Sequence, residues 1–175
     1  MLTKTEPPQG DGLAYPFAEA PATGAFIEVA PGILWIRIPL PFRLDHVNIY
    51  LIEDGDGWAV LDTGIANQAT RDVWEGLVAG PLAGRRLTRL IVTHFHPDHI
   101  GLAGWLCERF GIDPAHALMV DDMARNLKPA KMLGMTTVWV DNGSERGNDG
   151  VEDSFIDHRI TDVGEWLETI LKDDA

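Results

Sequence analysis

The sequence predicts an α/β protein in which N-terminal antiparallel β hairpins lead into a parallel βαβαβ run and a closing C-terminal helix. Three observations carry this expectation. Between residues 26 and 61, short apolar runs alternate with turn residues. From residue 66 onward, segments with helical apolar spacing alternate with β-branched apolar runs, an order that needs crossover helices and parallel strand pairing. The last segment, "TDVGEWLETILKD", has helical spacing behind a Thr161 or Asp162 cap.

Taken in order, "FIEVAPGILWIRIPL" holds two β-type runs broken at Pro31-Gly32. "HVNIYLIEDGDGWAVLDTG" reads as a hairpin: Val47, Ile49 and Leu51 alternate, "DGDG" turns, and "WAVLD" returns. Residues 66–79 have Val73, Trp74, Leu77 and Val78 at helical spacing. "LTRLIVTH" is a strand of the buried kind, and "DHIGLAGWLCERFG" predicts a single helix from about Asp98 that stops at Gly111. Ala117 to Val120 is a short strand. "ARNLKPAKMLG" is helical, with Pro129 implying a start near it or a kink, and "TTVWVDNGS" is a strand running into a turn. "ERGNDGVED" reads as loop.

Composition narrows the function. Among 175 residues, 14 Lys+Arg face 27 Asp+Glu, a net charge of −13. Nucleic acid or an anionic membrane would need a basic face, so neither is expected; a small-molecule substrate is the expected partner, although the charge does not identify it. Cys107 is the only cysteine, which excludes an intrachain disulfide and fits a reducing cytoplasm; its expected role is that of a small buried apolar residue. Residues 1–25 read as a loose arm with no apolar core of signal-peptide length, and no window is long and apolar enough for a membrane span. A seam is expected near Gly111, dividing residues 26–111 from 112–175, the latter the more acidic.

The chemistry concentrates in "VTHFHPDHIG". His94 lies at a strand end, His96 two positions on, and Asp98 and His99 at a helix start. Imidazole and carboxylate together suit zinc, and also manganese or iron. The spacing H-x-H-x-D-H lets two side chains serve one ion and two a neighbouring ion, and such a pair can polarise a carbonyl or phosphoryl oxygen.

Residues 26–111 resemble the N-terminal half of the metallo-β-lactamase-fold hydrolases. "THFHPDHIGLAG" matches that superfamily's H-x-H-x-D-H signature, and "LDTG", ending at Gly64, matches the strand-end motif about thirty residues ahead of it. The resemblance implies half of an αββα sandwich and one or two zinc ions held by His94, His96, Asp98 and His99. It also implies orientation of the shell by Asp62 and hydrolysis of an ester, thioester, amide or phosphoester. The family's further ligands come from its second half. Here only His116 and His158 lie downstream, in no matching motif, and both read as surface or edge histidines; His46 is a weaker candidate for the site. The ligand set is thus expected to be incomplete, and one sheet face poorly covered.

Residues 112–175 resemble a different group, the C-terminal part of haloacid-dehalogenase-like phosphatases of the pyrimidine 5'-nucleotidase type. "GIDPAHALMVDDMARNLKPAKMLGMTTVWVDNGSE" carries the likeness, which implies a Rossmann-like fragment and magnesium at Asp121 and Asp122. That family's nucleophile sits in an N-terminal D-x-D motif; "DGD" at 54–56 lies in a hairpin turn and is a poor counterpart, and Lys128 and Lys131 do not match the family lysine. Three readings follow: a zinc hydrolase with an Asp121 or Asp122 carboxylate as substitute ligand, a magnesium phosphatase, or a non-catalytic chain recombined from two partial domains.

Overall fold

The computed structural model describes residues 16–144, 146–149 and 151–173. Most of the N-terminal arm and two residues of the 145–153 loop fall outside that range. From Pro16 to Ala25 the chain runs through bends and a turn, and Phe17 packs its ring 6.2 Å from that of Trp35.

Eight strands form one sheet in chain order. β1 (Phe26–Ala30), β2 (Ile33–Pro39), β3 (His46–Asp54) and β4 (Gly57–Leu61) are antiparallel neighbours. β5 (Arg86–Val92), β6 (Ala117–Asp121), β7 (Thr136–Val140) and β8 (His158–Ile160) then add in parallel. The hairpin expectation and the parallel βαβαβ run both hold. The sheet also passes unbroken through the expected seam, with Leu90 opposite Ala117 and Val92 opposite Met119.

Because each parallel strand adds on the same side of its predecessor, right-handed crossovers place the intervening helices on one face. These are α1 (Gln68–Ala79), α2 (Pro97–Ile100), α3 (Ala103–Phe110) and α4 (Ala124–Met132). Leu77, Leu106 and Leu127 are fully buried in one core with Ile36, Ile49, Val60, Leu90 and Met119. Each such leucine contributes about 1.5–3 kcal/mol relative to exposure. The opposite face carries Trp35, Tyr50, Leu61, Ile91 and Leu118 in register across five strands, all only half-buried. This is the poorly covered face the sequence led us to expect.

Two local expectations need correction. The helix predicted over 98–110 is two helices, because the chain turns at Gly101 and Leu102 to bring its backbone against the loop after β4. A Cβ on Gly101 would stand 2.3 Å from Pro97 O, 2.7 Å from Ala66 N and 2.9 Å from Gly64 O. α3 does end at Gly111, in the left-handed conformation with φ 70°. Of the two readings of Pro129, the start falls: the proline lies inside α4, where Leu127 and Ala130 bury the helix against β6 and β7. β8 lies where the sequence predicts no element: three residues, His-Arg-Ile, are too few to show periodicity. The closing helix α5 (Val163–Asp173) forms as expected, and Asp162 is its cap, accepting from the Glu165 N–H at 2.8 Å.

Candidate metal centre

The carboxyl ends of β4, β5 and β6 lie side by side; Asp62 follows β4, His94 to His99 follow β5 into α2, and Asp121 ends β6. β3 runs antiparallel to β4, so the residue 40–45 loop shares this rim. Its Phe42 and Leu44 are exposed, as is Phe95.

Asp62 organises the histidines. It is 5% exposed and its backbone is left-handed, φ 64°, the one non-glycine residue so placed among the described residues. That conformation costs about 1–2 kcal/mol for a residue with a Cβ, and such strain gathers at functional sites. In return its carboxylate takes four contacts. Oδ1 accepts from the Thr93 N–H at 2.8 Å and, with Oδ2, from the Thr93 hydroxyl at 3.0 and 2.8 Å. Oδ2 also accepts from His99 Nδ1 at 2.7 Å. The Thr93 hydroxyl proton therefore points to Asp62, and its oxygen is left to accept from His94 Nδ1 at 2.9 Å. By this pattern both His94 and His99 carry their proton on Nδ1 and present an Nε2 lone pair.

The rings are gathered. The His94 centroid is 4.6 Å from that of His96 and 4.0 Å from that of His99. His94 Nε2 lies 2.9 Å from His96 Nδ1, and His99 Nε2 lies 3.7 Å from Asp98 Oδ2. Two donors on one tetrahedral zinc stand about 3.4 Å apart, given zinc–ligand bonds near 2.0–2.2 Å. The two pairs bracket that spacing, and their imidazole and carboxylate chemistry suits zinc. They remain two pairs: among the described residues, no three His, Cys, Asp or Glu side chains form a group able to hold one ion. Partial burial, with His99 and His96 beside it, holds His94 below the usual imidazole pKa, so it is neutral near pH 7 as a metal ligand must be.

The acids after β6 separate. Asp121 is buried and turns toward the histidine loop, its Oδ2 accepting from the Phe95 N–H at 2.9 Å. Asp122 is exposed and accepts from Asn142 Nδ2 at 3.0 Å. His116 is exposed at the start of β6, on the opposite rim, where it borders a cavity with Arg86 and Asp113. His158 is exposed on β8 beside Trp166, with ring centroids 5.5 Å apart, and His46 is held by Asp45 and Arg37. None of the three joins the cluster. Cys107 is half-buried against an apolar cavity of about 280 Å³, and burial pushes its thiol pKa up.

The family model of the metallo-beta-lactamase superfamily matches residues 42–168. This chain belongs to that superfamily. The match crosses the seam near Gly111, so the comparisons give no support to a separate haloacid-dehalogenase-like part. Two curated relatives from Bacillus subtilis are similar over part of the chain. The probable metallo-hydrolase YqjP is 34% identical over 71 residues, 40% of this chain and 22% of that protein. The probable metallo-hydrolase YybB is 36% identical over 77 residues, 43% of this chain and 32% of that protein. A crystal structure of a beta-lactamase domain protein from Burkholderia ambifaria is 41% identical, with a TM-score of 0.51, over 66% of this chain and 33% of that one. The matched stretch thus spans a third or less of each of these relatives.

Within this superfamily chain, reading of the motifs passed over two residues that the structure ties to them. Thr63 Oγ1 donates to His99 O at 2.7 Å and accepts from the Leu102 N–H at 3.0 Å, pinning the loop after β4 to the turn between α2 and α3. Thr93 links Asp62 to His94. The signal for both was adjacency: Thr63 follows Asp62 and Thr93 precedes His94.

Proposed function

We propose that the chain is a metal-dependent hydrolase whose histidine loop holds zinc. The observation that supports this best is the convergence of His94, His96, Asp98 and His99 at one sheet rim, with Asp62 orienting two of the imidazoles. In this reading His94 and His96 form one donor pair and Asp98 and His99 the other, each pair able to serve an ion of its own. Manganese or iron would suit the same donors. A bound zinc would supply Lewis acidity and lower the pKa of a water. The chain's own residues set the tautomers and turn the His94 and His99 lone pairs toward His96 and Asp98, with His96 and Phe95 exposed to an arriving substrate. The proposed substrate is a small ester, thioester, amide or phosphoester. Membership of the superfamily and likeness to two probable metallo-hydrolases support the reaction class.

Magnesium at Asp121 and Asp122, as the haloacid-dehalogenase-like resemblance of residues 112–175 implied, has weaker support. The two carboxylates face different partners, and Asp121 is fully engaged by protein donors.

The test is hydrolysis of activated ester, thioester and phosphodiester substrates by the purified chain, with and without zinc, and with magnesium in its place. The proposal expects zinc-dependent turnover that a chelator abolishes and that falls at least about 100-fold in His94→Ala, the order by which loss of a key electrostatic group slows a reaction. Turnover with magnesium alone, unaffected by His94→Ala, would overturn it.

A further inference from the structure

We propose that Asp121 is a positioning residue for the histidine loop, resting on the reading that this loop binds zinc. Its side chain is 3% exposed and no cation neutralises it among its hydrogen-bond partners. A buried carboxylate needs donors at both oxygens, and the chain supplies them from two elements. Oδ1 accepts from the Met123 N–H at 2.8 Å and from Asn126 Nδ2 at 3.0 Å, which ties it to the start of α4. Oδ2 accepts from the Phe95 N–H at 2.9 Å. Phe95 is the residue between His94 and His96, so this bond fixes the peptide that joins the two imidazoles.

The arrangement explains two features at once. Phe95 is 41% exposed because its backbone, rather than its ring, faces inward. The histidine loop, of which His96 and Pro97 are exposed, gains a rigid support from a different βα unit. With β5 and β6 hydrogen-bonded neighbours up to Val92 and Met119, the carboxylate two residues further along β6 reaches the loop without distortion. Asp121 therefore acts by holding ligands rather than by being one, since its oxygens are committed to N–H donors. Its partner Asp122 takes no part.

The experiment compares zinc affinity, by competition with a chromophoric chelator, in the parent, Asp121→Asn, Asp121→Ala and Asn126→Ala. Exchange of the Phe95 amide hydrogen is followed by NMR in the metal-free proteins. Asparagine keeps one acceptor oxygen, which the two donors at the start of α4 claim, so its NH2 group replaces the acceptor that the Phe95 N–H needs. The expected result is a loss of zinc affinity of about 10- to 100-fold in Asp121→Asn, the range for groups that orient ligands. Phe95 exchange should be at least about tenfold faster, with the Leu106 amide unchanged. Asn126→Ala removes one of the two donors to Oδ1, leaves the Met123 and Phe95 bonds in place, and should keep zinc affinity within about twofold. The amide exchange needs neither zinc nor the alanine variant, so it decides the point even if Asp121→Ala does not fold. Unchanged zinc affinity and unchanged Phe95 exchange in Asp121→Asn would overturn the role of Asp121 alone. A parent that binds no zinc would overturn the underlying metal reading.

Discussion

Asp62→Ala is expected to weaken zinc binding about 100-fold and to destabilise the metal-free protein by roughly 2–4 kcal/mol. The first figure follows from tautomer control. Without the carboxylate, His99 Nδ1 loses its acceptor and Thr93 loses the partner that makes its oxygen accept from His94, so neither Nε2 lone pair is fixed. Groups that orient ligands in this way are worth about 10- to 100-fold in affinity, and here one side chain orients two. The second figure follows from the Thr93 N–H and hydroxyl and the His99 N–H, left without a partner at roughly 1–3 kcal/mol for each that water does not reach. Asp62→Asn separates the two effects. Asparagine tolerates the left-handed backbone and keeps one acceptor, so stability should fall by no more than about 1–2 kcal/mol while zinc binding is still lost at least tenfold. Urea unfolding of the metal-free proteins and chelator competition measure the pair. A loss of stability with zinc affinity unchanged would reduce Asp62 to a structural residue.

Gly101→Ala is expected to cost about 3 kcal/mol, a fall in Tm of roughly 6–12 °C for a chain of this size. The added methyl would meet backbone on three sides, at Pro97 O, Ala66 N and Gly64 O, and backbone cannot yield as a flexible side chain can. The collision forces apart the two loops that carry Asp62 and His99, so zinc affinity should drop with stability. Gly104→Ala is the matched comparison. It lies in α3 with open space where its Cβ would go, and alanine there should be neutral or stabilising by up to about 1 kcal/mol. Thermal unfolding of both variants checks this. Equal Tm values would show that the packing of the loop after β4 against the α2–α3 turn contributes little.

The sequence made much of this legible, for reasons that differ by element. Alternation in Val47, Ile49 and Leu51, with "DGDG" behind it, specified the β3–β4 hairpin because one face of that ribbon is buried and register cannot slip. The order of strand and helix after residue 66 specified parallel pairing because nothing shorter than a crossover can join parallel strands. What stayed hidden depends on contacts between distant loops. The break between α2 and α3 comes from Gly101 meeting Gly64 and Ala66, and no local propensity encodes that meeting. β8 relies on β7 for its definition. The chemistry of the histidine loop was readable from residue types, yet the tautomer chain through Thr93 and Asp62 required coordinates. The Asp-Asp pair shows the limit most clearly. Two adjacent acids after a strand suggested a shared cation, but residue types could not show that their carboxylates take different partners, Asp121 the Phe95 N–H and Asp122 the Asn142 amide.

Elemental analysis of the purified chain, set beside a His94→Ala/His96→Ala variant of the same fold by circular dichroism, tests the central claim most directly. If the histidine loop holds a transition metal, the parent carries close to one or two zinc equivalents per chain, or takes them up on incubation and keeps them through dialysis, and the double variant loses at least one of them. A parent that retains no zinc, manganese or iron under those conditions, or a variant that retains as much as the parent, would contradict it.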